Sequence, residues 1–427
     1  MKAFTFFFSF LLSFDLGAQN MDLTDTSNLQ AAGMPIVLRE TKTSYGEIVA
    51  FHMTARGGVT LTSQAGALDL LIESLSKGTP SHTKEDIDRI LTQTGAVFAI
   101  NARQDSIDLS LKCLKKYLPT LLPMISEMIR VPLLVSDEVE LVRRQMTAAL
   151  KSELEHPDGI LALSNHKTFF KGHPYYNRTS GFLETLPAIK REDLVALLPK
   201  IFNKQNVFFT VIGNLTKEET SSMVQTHFAS LPEAARAAPL SALLQNDSKL
   251  SFEKFETPTT YFMARFKSPT LPDEDYPALT MAIQILDNRL FEEVRTKRAL
   301  TYSVSASLGS SLSNSGLLYV SSTQLPEAVK VIFDEVKKIQ TELISTEDLA
   351  SQVRKFLSSW LLSREAPSSQ ARVFTYYEIL GLGWAESNKF IERMKMVSPE
   401  QVRAAAQKYL KDYSSTVVGP KNEKIEF

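Results

Sequence analysis

Two periodicities alternate along the chain, and the changes of period mark its elements. Apolar residues spaced three and four apart predict helices over residues 65–77, 83–91, 117–129, 137–154, 191–202 and 217–227. Thr83 followed by Asp86 gives the second of these an N-cap with an acidic residue three positions on, which sets where it starts. Residues 48–54 and 207–212 are short apolar runs that stop near glycine, and they read as buried strands. Residues 96–111 alternate with period two and break near Gln104 and Asp105, so they read as two more. Residues 20–34 are polar and read as disordered or weakly attached. Residues 231–251, rich in Ala, Pro, Ser and Asn, read as a linker.

The second half repeats this order. Strands are predicted over residues 260–266, 302–308 and 316–322, and helices over 276–294, 326–341, 346–364 and 371–380. The clearest echo is residues 398–410 followed by 415–419, which mirror residues 190–202 followed by 207–213. Both copies are a capped helix, a short connection, a β-branched strand and a glycine. A period of about two hundred residues signals a duplicated domain and not a solenoid. Strands followed by helices in each copy predict an α+β layer fold.

The 427 residues suffice for two domains, each with its own core. A formal net charge of −1, with no basic cluster, gives no electrostatic case for nucleic acid or an anionic membrane. Lys2 precedes an apolar run from Ala3 to Leu16, and Leu16-Gly17-Ala18 supplies small residues before Gln19, the pattern of a secretory signal peptide cleaved after Ala18. No other stretch is long enough to span a bilayer, so no membrane span is expected in the mature chain. Cys113 is the only cysteine, which rules out an intrachain disulfide and a cysteine-based metal site; it reads as a small core residue. A secreted chain of this size without disulfides suits export across the inner membrane to a bacterial periplasm. The expected organisation is a signal peptide over 1–18, one unit over 35–231, a linker over 232–251 and a second unit over 252–427.

Candidate chemistry is sparse. The stretch from Arg289 to Ser305 carries Arg295 near a helix end and Tyr302 near the start of a strand. A guanidinium offers a planar fork of donors to a carboxylate or peptide carbonyl, and a phenol adds one directional donor. The pair has the chemistry to hold a peptide backbone; a surface Arg and a half-buried Tyr is the simpler reading of these residues alone. None of the six histidines (52, 82, 156, 166, 173 and 227) forms a helical i, i+4 pair. His166 and His173 flank an aromatic loop and read as solvated, and His156, beside Pro157, as a helix end.

Several stretches together resemble the pitrilysin/insulinase-type (M16) metallopeptidases, which include the mitochondrial processing peptidase subunits. They are residues 66–79 with their Lys-Gly-Thr ending, Thr94-Gly95-Ala96, Val131-Pro132, residues 170–175 and the Arg295/Tyr302 stretch with its separation. The resemblance covers about residues 37–419 and implies two similar α+β domains of the LuxS/MPP-like type, forming half of a clamshell assembly. The family's zinc motif, H-x-x-E-H on its first helix, places two imidazoles on one face with a general base between them. Here the corresponding positions are Asp69, Ile72 and Glu73, and the family's third ligand falls on Ala149. Two carboxylates one turn apart, which read as a solvated acidic face, a side chain that cannot act as a base and an alanine leave no zinc site, so no cofactor is expected in this chain.

The resemblance therefore implies a noncatalytic subunit. A zinc-bearing M16 partner would supply metal and base, and this chain would supply Arg295 and Tyr302 as substrate-binding and oxyanion-stabilising groups for peptides. A structural or peptide-binding module without a part in proteolysis is the alternative, and a homodimer remains open.

Overall fold

The computed structural model describes residues 23–41, 47–238, 240 and 249–425, so the expected signal peptide lies outside the described residues. The first sheet holds β1 (Thr26–Ala31), β2 (Met34–Glu40), β3 (Ile48–Arg56), β4 (Val97–Ala102), β5 (Ser106–Leu114) and β6 (Val207–Gly213), in the order β1-β2-β6-β3-β5-β4. The second holds β7 (Lys249–Lys254), β8 (Thr260–Lys267), β9 (Ser303–Leu308), β10 (Ser315–Ser322) and β11 (Ser414–Gly419), in the order β7-β11-β8-β10-β9. Leave out β1 and the sheets correspond strand for strand. β2 runs parallel to β6 as β7 does to β11, and the remaining neighbours are antiparallel in both. The α+β class and the duplication expected from the sequence are thus present.

Helices α1 (Ala67–Leu75), α2 (Lys84–Thr94), α3 (Leu118–Arg130), α4 (Ser136–Leu154), α5 (Pro157–Phe169), α6 (Arg191–Ile201) and α7 (Lys217–Phe228) belong to the first half. Helices α8 (Tyr276–Leu290), α9 (Leu325–Thr341), α10 (Thr346–Leu362), α11 (Pro367–Ile379), α12 (Glu386–Lys395) and α13 (Pro399–Tyr409) belong to the second. The expected capping at Thr83 is a full capping box. The Thr83 hydroxyl accepts from the Asp86 N–H, and the Asp86 carboxylate accepts from Thr83. Each half has its own apolar core, one around Phe51, Phe209 and Phe228 and one around Phe262, Leu286 and Ile332. Cys113 on β5 is buried, as its apolar neighbours suggested, and burial raises its thiol to about 11.

The halves exchange a helix. α5, from the first half, lies on β7, β11 and β8 of the second sheet, where Leu161 packs with Met263 and Val418. α11, from the second half, lies on β3 and β6 of the first sheet, where Ala371 and Phe374 pack with Val37, Ala50 and Ile212. Each sheet therefore carries its own helices on one face and a borrowed one on the other. This explains why β6 and β11 are buried at every residue.

Three expectations need correction. Residues 26–40 form the β1–β2 hairpin, with β2 paired to β6, although residues 20–34 read as disordered or weakly attached. The linker reading covers the first residues of β7, and part of that stretch packs on the first half, where the Ala237 N–H donates to Asn206 Oδ1 (3.0 Å). The helix expected to run to Val294 ends at Leu290 and opens into a π turn, Phe291–Lys297.

Candidate functional site

Asp69, Ile72 and Glu73 lie on α1, which follows directly from the close approach of two glycines. Gly66 precedes the helix at φ +98°, and a Cβ built on Gly181 would stand 2.8 Å from the Gly66 Cα, a contact no side chain tolerates. That approach brings the 178–181 strap to the helix start, where Arg178 O and Thr179 O accept from the N–H groups of Gly66 (3.2 Å) and Asp69 (3.3 Å). Ile72 faces the core and is buried; Glu73 is exposed.

Asp69, Glu73 and Ala149 meet at one pocket of about 400 Å³ between α1 and α4, so the positions that correspond to a metal site do converge. The chemistry around them is wrong for zinc. Ala149 offers no ligand atom, and among the described residues no three His, Cys, Asp or Glu side chains converge to hold a metal ion. The pocket instead contains a cation of the protein's own, because Arg178 donates from Nη2 to both oxygens of Glu153 (3.0 and 2.9 Å). The Thr179 hydroxyl donates to Asp69 Oδ2 (3.1 Å). Neither Arg178 nor Glu153 stood out in the sequence, although Glu153 lies one helical turn beyond Ala149 and Arg178 follows the aromatic loop.

Burial lifts the Asp69 carboxyl from 3.8 to about 6; the Thr179 hydrogen bond opposes the rise and Glu73 adds to it. Folded protein keeps this proton between pH 4 and 6 while the unfolded chain releases it, so stability falls as pH rises through that window and stays lower above it. Asp69→Asn cannot ionise and removes the fall. The variant is expected to be more stable than the parent by about 1 to 2 kcal/mol at pH 7 and nearly equal at pH 4. Urea midpoints at the two pH values measure this.

Arg295 and Tyr302 stand on either side of the junction between the π turn and β9. The turn is pinned from beneath by buried Val294 and Leu300, with the Leu300 N–H donating to Val294 O (3.0 Å). Ala299 at φ +52° reverses the chain. Glu293 grips Lys297 (2.8 Å) and Arg298 (2.5 Å), which holds its carboxyl down at about 2. Tyr302 is not half-buried as expected. It is 90% exposed, the most exposed large side chain of apolar character, and its hydroxyl has no hydrogen bond among the described residues. Arg295 lies 4.8 Å over the exposed Phe291 ring, and no bond joins it to Tyr302.

Two histidines also differ from expectation. His166 sits on α5 and bonds Tyr176 O (3.2 Å), and burial lowers it to about 4. His173 is buried, accepting from the Tyr175 N–H (3.1 Å) and bonded to Ser313 Oγ (3.2 Å). Both are structural groups; the aromatic loop between them packs inward around Phe169, Phe170 and Tyr175. His156 occupies the N-cap position of α5, the expected helix end.

The fold defines a duplicated α+β protein with no metal-binding cluster on its first helix among the described residues. The family described as peptidase M16 inactive domain matches residues 188–356. The non-peptidase homolog YmxG of Helicobacter pylori is 23% identical over 409 residues, covering 93% of this chain and 94% of that one. An uncharacterized zinc protease of Rickettsia felis is 20% identical, covering 88% and 93%. The crystal structure of a peptidase M16 inactive domain from Pseudomonas fluorescens superposes with a TM-score of 0.87 at 19% identity, over 94% of this chain and all of that one. A protease structure from Helicobacter pylori follows at a TM-score of 0.85 and 16% identity, covering 92% and 99%. The chain is thus similar in sequence and fold to M16-type proteins of the inactive kind, the resemblance its sequence markers pointed to.

Proposed function

We propose that this chain is the noncatalytic subunit of a heteromeric zinc peptidase in a bacterial periplasm. A zinc-bearing M16 partner supplies metal and general base, and this chain supplies Arg295 and Tyr302. The observation that carries the reading is the contrast between the two candidate regions. Where the family holds zinc, this chain has Ala149 and an Arg178–Glu153 ion pair. Where the family holds its Arg/Tyr pair, this chain keeps both residues, on a pinned turn, with the phenol held out in solvent. In this role Arg295 would hold the substrate backbone or its C-terminal carboxylate, and the Tyr302 hydroxyl would donate to the scissile carbonyl oxygen as charge develops on it.

The alternative, a binding module without a part in proteolysis, has one observation in its favour: the Arg295 guanidinium is already engaged over Phe291. Co-purification from the native host followed by a peptidase assay separates the two. The reading expects a zinc-bearing partner of similar length, turnover that needs both chains, and loss of turnover with a chelator. In the reconstituted pair Arg295→Ala should raise KM more than it lowers kcat, because the contact holds substrate and transition state alike. Recovery of the chain with no peptidase partner, or full turnover by the partner alone, would favour the module.

A further inference from the structure

A cavity of about 1040 Å³ lies between the two halves and meets the α1 pocket at Arg178 and Ser180. One wall is β5, whose alternation is complete: Ile107, Leu109, Leu111 and Cys113 are buried in the core, while Ser106, Asp108, Ser110 and Lys112 line the cavity. The facing wall is α11. Its residues at helical spacing, Ser368, Arg372, Thr375, Tyr376 and Ile379, line the same cavity, while Ala371 and Phe374 pack on the first sheet. Both walls thus turn their polar faces to one space. The cavity is closed at one end where the 309–314 turn of the second half meets the first. There Asp105 accepts from the Leu312 N–H (3.0 Å) and bonds the Tyr175 hydroxyl, and the Tyr376 hydroxyl donates to Ser310 O (2.6 Å).

The charges in this space do not balance. The Asp108 carboxylate is taken by Arg103 (2.8 Å), and Asp105 is consumed by the contacts just given. Lys112 and Arg372 line the cavity with no carboxylate partner among the described residues. Arg372 has only the Ser369 hydroxyl, at 3.4 Å. His52, buried behind it, is neutral at physiological pH, because burial and the Arg372 charge lower it to about 4. Lys112 and Arg372 are exposed to the cavity, whereas two other donors are buried and unsatisfied: Arg178 Nη1, whose side chain reaches this cavity as well as the α1 pocket, and Ser368 Oγ in the first turn of α11. The two buried donors without acceptors imply a partner, and the two exposed cations beside them favour the same one, an oxyanion.

We infer that this cavity is a binding site for a carboxylate-bearing ligand, an acidic peptide stretch, held by Arg372, Lys112 and the free Nη1 of Arg178. The choice of a peptide as the bearer rests on the peptide-handling role proposed above; the carboxylate site itself does not.

The test is binding of labelled ten-residue peptides to the full mature chain, read by fluorescence anisotropy at low salt. A Glu-rich peptide should bind at least about tenfold tighter than its Gln-substituted counterpart, and the difference should shrink as salt is raised. Arg372→Glu and Lys112→Glu, both on exposed positions of intact elements, should each abolish most of that preference while circular dichroism and melting stay unchanged. Citrate distinguishes the sources of the carboxylate. Displacement of the peptide by citrate at an equal concentration of carboxyl groups supports the site and assigns it to a small acid; resistance to citrate supports it and assigns it to a peptide. Equal binding of the Glu and Gln peptides, absence of binding by either peptide and by citrate, or unchanged Glu-peptide binding in both variants would overturn the inference. No partner subunit and no turnover enters this experiment, so its failure leaves the composite-peptidase reading untouched, and the reverse also holds.

Discussion

Tyr302→Phe is expected to lower kcat of the reconstituted pair by about a hundredfold to a thousandfold, the typical loss when one preorganised oxyanion donor is removed. The substitution deletes a single hydroxyl. That hydroxyl has no hydrogen bond among the described residues, and its side chain is 90% exposed, so the chain should unfold at the same urea concentration with or without it. A loss of turnover cannot then be attributed to misfolding of this subunit. KM should change little, because the ground-state carbonyl needs the donor less than the charged oxygen of the transition state. The split between the two variants is what marks a composite site: Arg295→Ala acts on KM and Tyr302→Phe on kcat. The measurement is steady-state peptide hydrolysis at fixed subunit ratio. Unchanged kcat in Tyr302→Phe would remove the phenol from the reaction.

The location of the pair gives this expectation its physical basis. An oxyanion donor must be held still, and a fully exposed tyrosine on a mobile loop would be a poor one. Here the residues beside it are fixed: Leu300 is buried, the Thr301 hydroxyl bonds Ser321 O (2.5 Å), and Asp287 accepts from the Ala306 N–H (2.9 Å) at the far end of β9. The backbone is anchored while the phenol is presented, the arrangement expected of a group that completes a surface supplied by another molecule.

How far the sequence could be read depended on whether an element is stabilised locally. α2 was legible because its start is set by Thr83 and Asp86 within one turn. β6 was legible because every residue is apolar or β-branched and a glycine ends it. The duplication was legible in the paired units of residues 190–213 and 398–419, and those strands do occupy equivalent places in the two sheets. α5 was missed for the opposite reason. Gly159, Asn165 and His166 interrupt its apolar pattern, and its burial comes from strands β7, β8 and β11, which lie far downstream in the second half. The β1–β2 hairpin was missed because polar Ser27, Asn28 and Gln30 give β1 little apolar signal, and its place depends on β2 pairing with β6. The π turn, the Arg178–Glu153 pair and the polar cavity are likewise products of distant segments meeting. At Asp69, Ile72, Glu73 and Ala149, which the resemblance sets against the family's zinc positions, the sequence was informative only by subtraction, and only the structure showed a guanidinium in the same pocket.

The exchange of α5 and α11 leads to the second large effect. Asn165 is fully buried on α5 and faces the second sheet. Its amide donates to Ser414 O (3.0 Å) and more weakly to Thr416 Oγ1 (3.4 Å), and its carbonyl accepts from Arg265 Nε (3.0 Å). Arg265 has no carboxylate partner among the described residues. It lies under Phe169 and Phe170, bonds only Ser315 Oγ besides (3.2 Å), and burial lowers it to about 10. Asn165 is thus the acceptor that makes a buried guanidinium tolerable, from an element of the other half. Asn165→Leu keeps the volume but strands Arg265 Nε and removes the amide donor to Ser414 O. At about 1 to 3 kcal/mol for a buried group left unpaired, more for a charged one, the expected destabilisation is about 3 kcal/mol. Asn165→Asp keeps the acceptor for Arg265 and loses only the donor to Ser414 O, so it should fall between the two. Trp360 packs in the second-half core, whereas Trp384 bonds Asn28 of β1, so in a Trp384→Phe background the fluorescence in urea follows the second half while circular dichroism follows the whole chain. In the parent the two signals should change together, because each sheet is covered by the other half's helix. In Asn165→Leu they should separate, the tryptophan signal moving first. A single coincident transition at the parent's midpoint would show that Asn165 does not couple the halves.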